Sequence, residues 1–120
     1  GRSADDSYVR RYADGKKGNP FVSREKGDVQ VVDLHADAIL ETTAGMSHVD
    51  ILNYQLDVFR KTLEENKGCK GKKIVFIHGK GEGVLRNAVV NELRYRYKKY
   101  KYQDASFQEY GYGATQVTIY

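Results

Sequence analysis

The sequence contains one cysteine and one proline in 120 residues, and it has no long apolar run. Cys69 by itself can form neither an internal disulfide nor a thiolate zinc cage, which leaves a reducing, cytoplasmic compartment as the expected one. No stretch approaches the roughly 20 apolar residues of a membrane-spanning helix, and the polar start Gly1-Arg2-Ser3-Ala4-Asp5-Asp6 is no signal peptide. Phosphate-binding fingerprints are missing too. No G-x-x-x-x-G-K-[ST] occurs, and the one glycine-rich loop fails the G-x-G-x-x-G spacing because Val84 follows Gly83. The net charge of +4 is too small to argue for any partner.

What is present is unevenly placed. Residues 67–101 hold eleven basic side chains against two acidic ones, a net of +9, and the rest of the chain carries −5. A chain that gathers its positive charge in one supersecondary unit presents a face to polyanions, of which nucleic acid is the commonest. Seven of the ten tyrosines fall in the last 26 residues, interleaved with Arg94, Arg96, Lys98, Lys99 and Lys101. Aromatic rings beside cations are suited to holding unpaired bases, although tyrosines at helix and strand spacing also serve as ordinary core.

Residues 1–28 contain Pro20 and few apolar side chains and are expected to be a flexible arm or linker from an upstream domain of the same chain. The folded unit is expected over residues 29–120, large enough to bury a core without disulfides or metal. Val29-Gln30-Val31-Val32-Asp33-Leu34 reads as a buried strand ending at His35. Ser47-His48-Val49-Asp50 is a capped helix start. Val49, Leu52, Leu56, Phe59 and Leu63 then recur at helical spacing, which predicts a helix over residues 48–65. Lys72–Ile77 is a second strand, and it too runs into a histidine, His78. A second helix carries Leu85, Val89, Leu93, Tyr97 and Tyr100 on one face and Arg86, Arg94 and Lys98 on the other. Two further strands follow, joined by Gly111-Tyr112-Gly113. The order βαβαββ predicts an α/β fold with a mixed four-stranded sheet whose first two strands are parallel.

That topology brings His35 and His78 to one edge of the sheet, the edge where open α/β sheets place ligands. Asp33 and His35 lie two apart on a strand and project to the same side, so the carboxylate can orient the imidazole. Asp33, His35 and His78 are therefore the candidate catalytic residues, the two imidazoles serving as general base and general acid. The loop Gly79-Lys80-Gly81-Glu82-Gly83 leads into a helix N-terminus, where backbone N–H groups and Lys80 suit a phosphate. Gly79, Lys80, Gly81 and Gly83, with Arg86, Arg94 and Lys98 from the basic helix, are the candidate phosphate and nucleic-acid contacts. A divalent metal on Asp33, His35 and His78 is chemically possible but nothing in the spacing requires it, so no cofactor is expected. His48, in the first turn of a helix, is expected at the surface.

Residues 31–120 resemble the Smr (small MutS-related) domain. Val32-Asp33-Leu34-His35 is similar to its Leu-Asp-x-His motif, and His78-Gly79-Lys80-Gly81-Glu82-Gly83 to its His-Gly-x-Gly-x-Gly motif. The ending Gly111–Ile119 is similar to the family's glycine turn and last strand. The resemblance implies a two-layer α/β sandwich similar to the C-terminal domain of bacterial translation initiation factor three. It also implies a nucleic-acid-binding domain, in many members an endonuclease acting on RNA or on nicked or branched DNA. By the same motifs the family's functional residues fall on Asp33, His35, His78, Gly79, Gly81 and Gly83. Ala36 departs from the glycine usual after the first motif, and the connection Asp37–Met46 is longer than usual, which alters the expected cleft.

Three functional expectations follow. The first is phosphodiester cleavage by the paired histidines, RNA being favoured because imidazoles suit activation of a 2′-hydroxyl. The second is a non-catalytic module that holds nucleic acid or a ribosome through the basic helix. A surface of tyrosines that binds protein is a third, weaker reading.

Overall fold

The computed structural model describes residues 23–26, 29–111 and 113–120. Most of the expected arm, residues 1–22 and 27–28, and Tyr112 of the glycine turn lie outside the described residues. The elements are β1 (Ser23–Lys26), β2 (Val29–Asp33), α1 (Ala36–Ile39), α2 (His48–Glu65), β3 (Lys73–Ile77), α3 (Val84–Tyr95), β4 (Lys101–Asp104), α4 (Phe107–Tyr110) and β5 (Ala114–Thr118). They build one mixed sheet in the order β1-β2-β3-β5-β4. The central pair β2 and β3 is parallel and every other pair is antiparallel. The α/β sandwich is as expected, with one strand more than the four predicted. The extra strand, β1, comes from the segment read as an arm, where its polar composition hid an edge-strand role that pairing to β2 supplies.

The helix α2 begins as its sequence dictates. Ser47 Oγ accepts from the Asp50 N–H at 3.0 Å, and Asp50 Oδ2 accepts from the Ser47 N–H at 3.1 Å, a reciprocal capping box. Its buried side chains, among them Leu56, Phe59 and Leu63, meet Val32, Leu34, Ile74, Phe76, Val117 and Ile119 of the sheet and Val89 and Leu93 of α3. Phe59 sits at the centre, edge-on to Phe76 at 4.7 Å and to Tyr97 at 6.2 Å. Each such fully buried apolar side chain contributes about 1.5–3 kcal/mol. The opposite face of the sheet carries a smaller cluster of Val31, Val75 and Ala114, with Ile77, Ala105 and Tyr110 packed against it. Alternation along β2, β3 and β5 thus sends their residues by turns to the helix-covered face and to this second face.

Helix α3 is shorter than its apolar periodicity predicts. It ends at Tyr95, and Tyr97 and Tyr100 lie beyond it in a turn, their rings stacked 5.8 Å apart against the core. Two rings folded back from a turn mimic the next helical repeat in the sequence. Lys98 therefore belongs to this turn and not to the basic face that carries Arg86 and Arg94. Helices α2 and α3 are tied by a two-pronged ion pair, Arg60 Nε to Glu92 Oε1 and Arg60 Nη2 to Glu92 Oε2, both at 2.9 Å. Among the described residues no helix is long and apolar enough to cross a membrane.

Candidate active site at the carboxyl edge of the sheet

Asp33 ends β2 in register with Ile77, the last residue of β3, so both strands release the chain at the same edge. Two residues further on, His35 turns back onto Asp33. Its backbone N–H donates to Asp33 Oδ1 at 2.9 Å and its ring Nδ1 lies 2.7 Å from the same oxygen. An ionised carboxylate only accepts, so Nδ1 carries the proton, and in the neutral ring Nε2 is the nitrogen with the lone pair. Both side chains are about half exposed, and Nε2 has no hydrogen-bond partner among the described residues. The ring lies against Gly79, where a β-carbon would stand 2.6 Å from Nε2. An open cleft of about 410 Å³ lies in front, lined by His35, Ile77, Gly79, Lys80, Phe107, Tyr110, Gly111 and Gly113.

His78 is placed differently. It continues the alternation of Ile74 and Phe76 and so lies toward the helix-covered face, whereas Asp33 and His35 continue that of Val31 on the second face. Its ring is buried and both nitrogens are engaged: Nδ1 donates to the Gly79 carbonyl at 3.0 Å, and Nε2 accepts from the Thr115 hydroxyl at 2.9 Å. That pattern is the neutral imidazole. Burial pushes the His78 pKa below its ordinary 6.5, helped by the positive Arg86 and by His35 and opposed by the Gly79 carbonyl and Asp104. The two histidines thus share an edge without sharing a face.

The glycine loop is held by β5. The N–H groups of His78 and Gly79 both donate to the Gly113 carbonyl, at 2.8 and 2.9 Å. A β-carbon on Gly113 would stand 2.5 Å from the Gly79 carbonyl carbon, so only glycine permits this approach. Gly79 has φ +83° and Gly83, the residue preceding α3, has φ +87°, both left-handed. Arg86 and Arg94 do not enter the His35 cleft. They line a second one of about 310 Å³ on the helix-covered side, with Tyr102, Asp104 and Thr115, and Arg86 reaches Asp104 at 3.4 Å. Among the described residues no three His, Cys, Asp or Glu side chains converge on one point. His78, with both nitrogens engaged, has none to share with Asp33 and His35.

The Smr domain matches residues 53–120, which takes in the His78 loop, α3 and the closing strands. The chain belongs to the Smr domain family. The match is narrower than the resemblance over residues 31–120, and Asp33 and His35 lie upstream of it. A further relative reaches across them: the endonuclease MutS2 of Thermus thermophilus is 27% identical over 111 residues, 92% of this chain. The chain spans only 13% of that relative's length. The stretch of that relative similar to this chain is thus a small part of it.

Thr115, Gly113, Phe107 and Tyr110 were not among the residues singled out for the site in the sequence. Gly113 had a signal in the Gly-x-Gly turn. Thr115 reaches His78 only because it pairs with Phe76 across β5 and β3, a register the sequence does not display.

Proposed function

We propose that this Smr domain cleaves phosphodiester bonds in nucleic acid, with the Asp33–His35 dyad as its base. The observation that carries the reading is the 2.7 Å contact between His35 Nδ1 and Asp33, which leaves Nε2 basic beside a glycine loop and Lys80. In this scheme Nε2 removes the proton from a 2′-hydroxyl of RNA, or from water when DNA is the substrate; the oxygen so freed attacks phosphorus, the P–O bond to the leaving nucleoside breaks, and the leaving oxygen takes a proton from solvent water. Asp33 stabilises the imidazolium that forms. Lys80 and the N–H groups at the start of α3 face the charge that develops on the phosphate. His78 takes a different part from the acid of a histidine pair. It fixes the glycine loop through Gly79 and Thr115, and so acts as a positioning residue. No step of the scheme passes through a metal.

The test is a cleavage assay on labelled single-stranded RNA and branched DNA, with and without EDTA, comparing the parent with His35→Ala. Product from the parent and its loss in the variant support the scheme. Equal cleavage by both sinks it.

A second reading, a binding module without turnover that serves a larger protein or a ribosome, draws on the engagement of both His78 nitrogens, which leaves one imidazole instead of two for chemistry. It predicts affinity that falls steeply with salt, dependence on Arg94 and Lys98, and indifference to His35→Ala.

A further inference from the structure

The peptide between Leu34 and His35 is held at both ends. Its N–H, that of His35, donates to Asp33 Oδ1 at 2.9 Å, and its carbonyl, that of Leu34, accepts from Gln55 Nε2 of α2, also at 2.9 Å. The unit is planar, so a rotation that frees one end also frees the other. The Leu34 side chain is fully buried in the core, and the Leu34 N–H donates to the Ile77 carbonyl at 2.8 Å, continuing the parallel β2–β3 ladder. The next rung of that ladder would run from the Gly79 N–H to the Leu34 carbonyl. The Gly79 N–H donates instead to the Gly113 carbonyl at 2.9 Å, so the glycine loop has gone over to β5. Gln55 supplies the donor that the departing loop withholds. It stands three residues after Leu52 and four before Phe59, both of which pack in the core, so this half-buried amide interrupts an apolar stripe of α2.

We infer that Gln55 is a positioning residue for the His35 base, acting through the Leu34–His35 peptide. Holding the carbonyl fixes the peptide plane, and the plane aims the His35 N–H at Asp33. The ring meets the same carboxylate oxygen through Nδ1 at 2.7 Å and so presents Nε2 to the cleft. Without the amide, the Leu34 carbonyl has to find another donor, because a backbone acceptor at this depth does not stay unpaired. Turning to the Gly79 N–H pulls the loop away from Gly113, and turning to water rotates the peptide away from Asp33. Either movement displaces the imidazole that rests against Gly79. The catalytic consequence rests on the proposed function, whereas the hold on the ring is measurable without turnover.

Three variants separate the donor from the space it fills. Gln55→Met keeps length and helix propensity but has no donor, Gln55→Glu sets an acceptor against the carbonyl, and Gln55→Lys restores an N–H donor at similar reach. Each is checked for an unchanged circular dichroism spectrum and then measured twice. Long-range ¹H–¹⁵N spectra, recorded at a pH where the rings are neutral, report which nitrogen of His35 carries the proton, its signals being identified by their loss in His35→Ala. Steady-state cleavage of labelled single-stranded RNA gives kcat and KM. The parent and Gln55→Lys should show His35 protonated on Nδ1, and Gln55→Met and Gln55→Glu should shift the proton toward Nε2, the tautomer that a free imidazole favours. In Gln55→Met kcat should fall by about 10- to 100-fold with KM nearly unchanged, in Gln55→Glu at least as far, and in Gln55→Lys it should recover. A parental tautomer or a parental kcat in Gln55→Met overturns the inference. Equal losses in Gln55→Met and Gln55→Lys overturn it too, since packing and not the donor would then be what matters. If the parent cleaves nothing, the proposed function fails by itself and the ring spectra decide Gln55: a parental tautomer in Gln55→Met overturns its role, and a shifted one that Gln55→Lys restores supports it as the residue that orients the ring. A parent His35 protonated on Nε2 overturns both.

Discussion

The His35 imidazole rests against the α-carbon of Gly79, so closely that a β-carbon there would stand 2.6 Å from Nε2. One side chain of β2's end is therefore shaped by the absence of a side chain after β3. The contact joins the two motifs of the sequence, and it makes the glycine part of how the base is placed.

Gly79→Ala tests that relationship. At φ +83° a residue with a β-carbon costs about 1–2 kcal/mol, and the methyl group also displaces the imidazole. The expected result is a modest loss of stability by urea denaturation, with nucleic-acid cleavage reduced far more than the fold. Gly113→Ala should be the more damaging to stability, because its methyl group meets the Gly79 backbone at 2.5 Å and neither strand can yield cheaply. The reverse ranking would mean that the β3–β5 approach is not what fixes the loop.

Asp33→Asn and His35→Ala should separate chemistry from folding. Both side chains are about half exposed and neither belongs to a core cluster, so thermal unfolding should shift little. Cleavage should fall by about 10²–10⁴-fold in His35→Ala, the usual contribution of a general base. A large loss of stability in either variant would argue that the dyad is structural.

The pH dependence of stability should carry the signature of His78. Its pKa is lowered by burial, so the unfolded chain binds the proton more readily than the folded one between the folded value and 6.5. The stability it contributes is complete above pH 6.5 and is lost as the pH falls through the folded pKa. Urea midpoints measured from pH 7.5 to pH 5 should decline in the parent and decline less in His78→Gln. Thr115→Val should lower stability by about 1 kcal/mol, the net worth of one hydrogen bond, and Thr115→Ser should restore it.

The Arg60–Glu92 pair gives a prediction remote from the site. The Arg60 guanidinium holds the Glu92 carboxyl below its ordinary 4.5, against the smaller opposing effect of burial. Its contribution is present above pH 4.5 and is lost as the pH falls through the lowered value. Glu92→Gln should cost about 1 kcal/mol at neutral pH, the lower end for a charge-assisted bond because Arg60 is about one-third exposed. Arg60→Lys should not preserve the pair, since an ammonium cannot make the two-pronged contact. Chemical denaturation of the three proteins measures both effects.

Much of this protein is determined by local sequence. Ser47 and Asp50 mark the start of α2 because their side chains satisfy N–H groups within three residues of themselves. The parallel β2–β3 pair follows from a strand, helix, strand order, and with it the arrival of Asp33, His35 and His78 at one edge. Asp33 and His35 are two apart, so their contact is also local. Other features depend on partners far along the chain. Strand β1 exists through its pairing to β2, and the end of α3 depends on where the rings of Tyr97 and Tyr100 find the core. His78 looks like the equal of His35 in sequence, each being a histidine after a buried strand. Only the tertiary structure separates them, because pleating sends His78 to the side where Thr115 engages its second nitrogen, and leaves His35 with Nε2 open to the cleft.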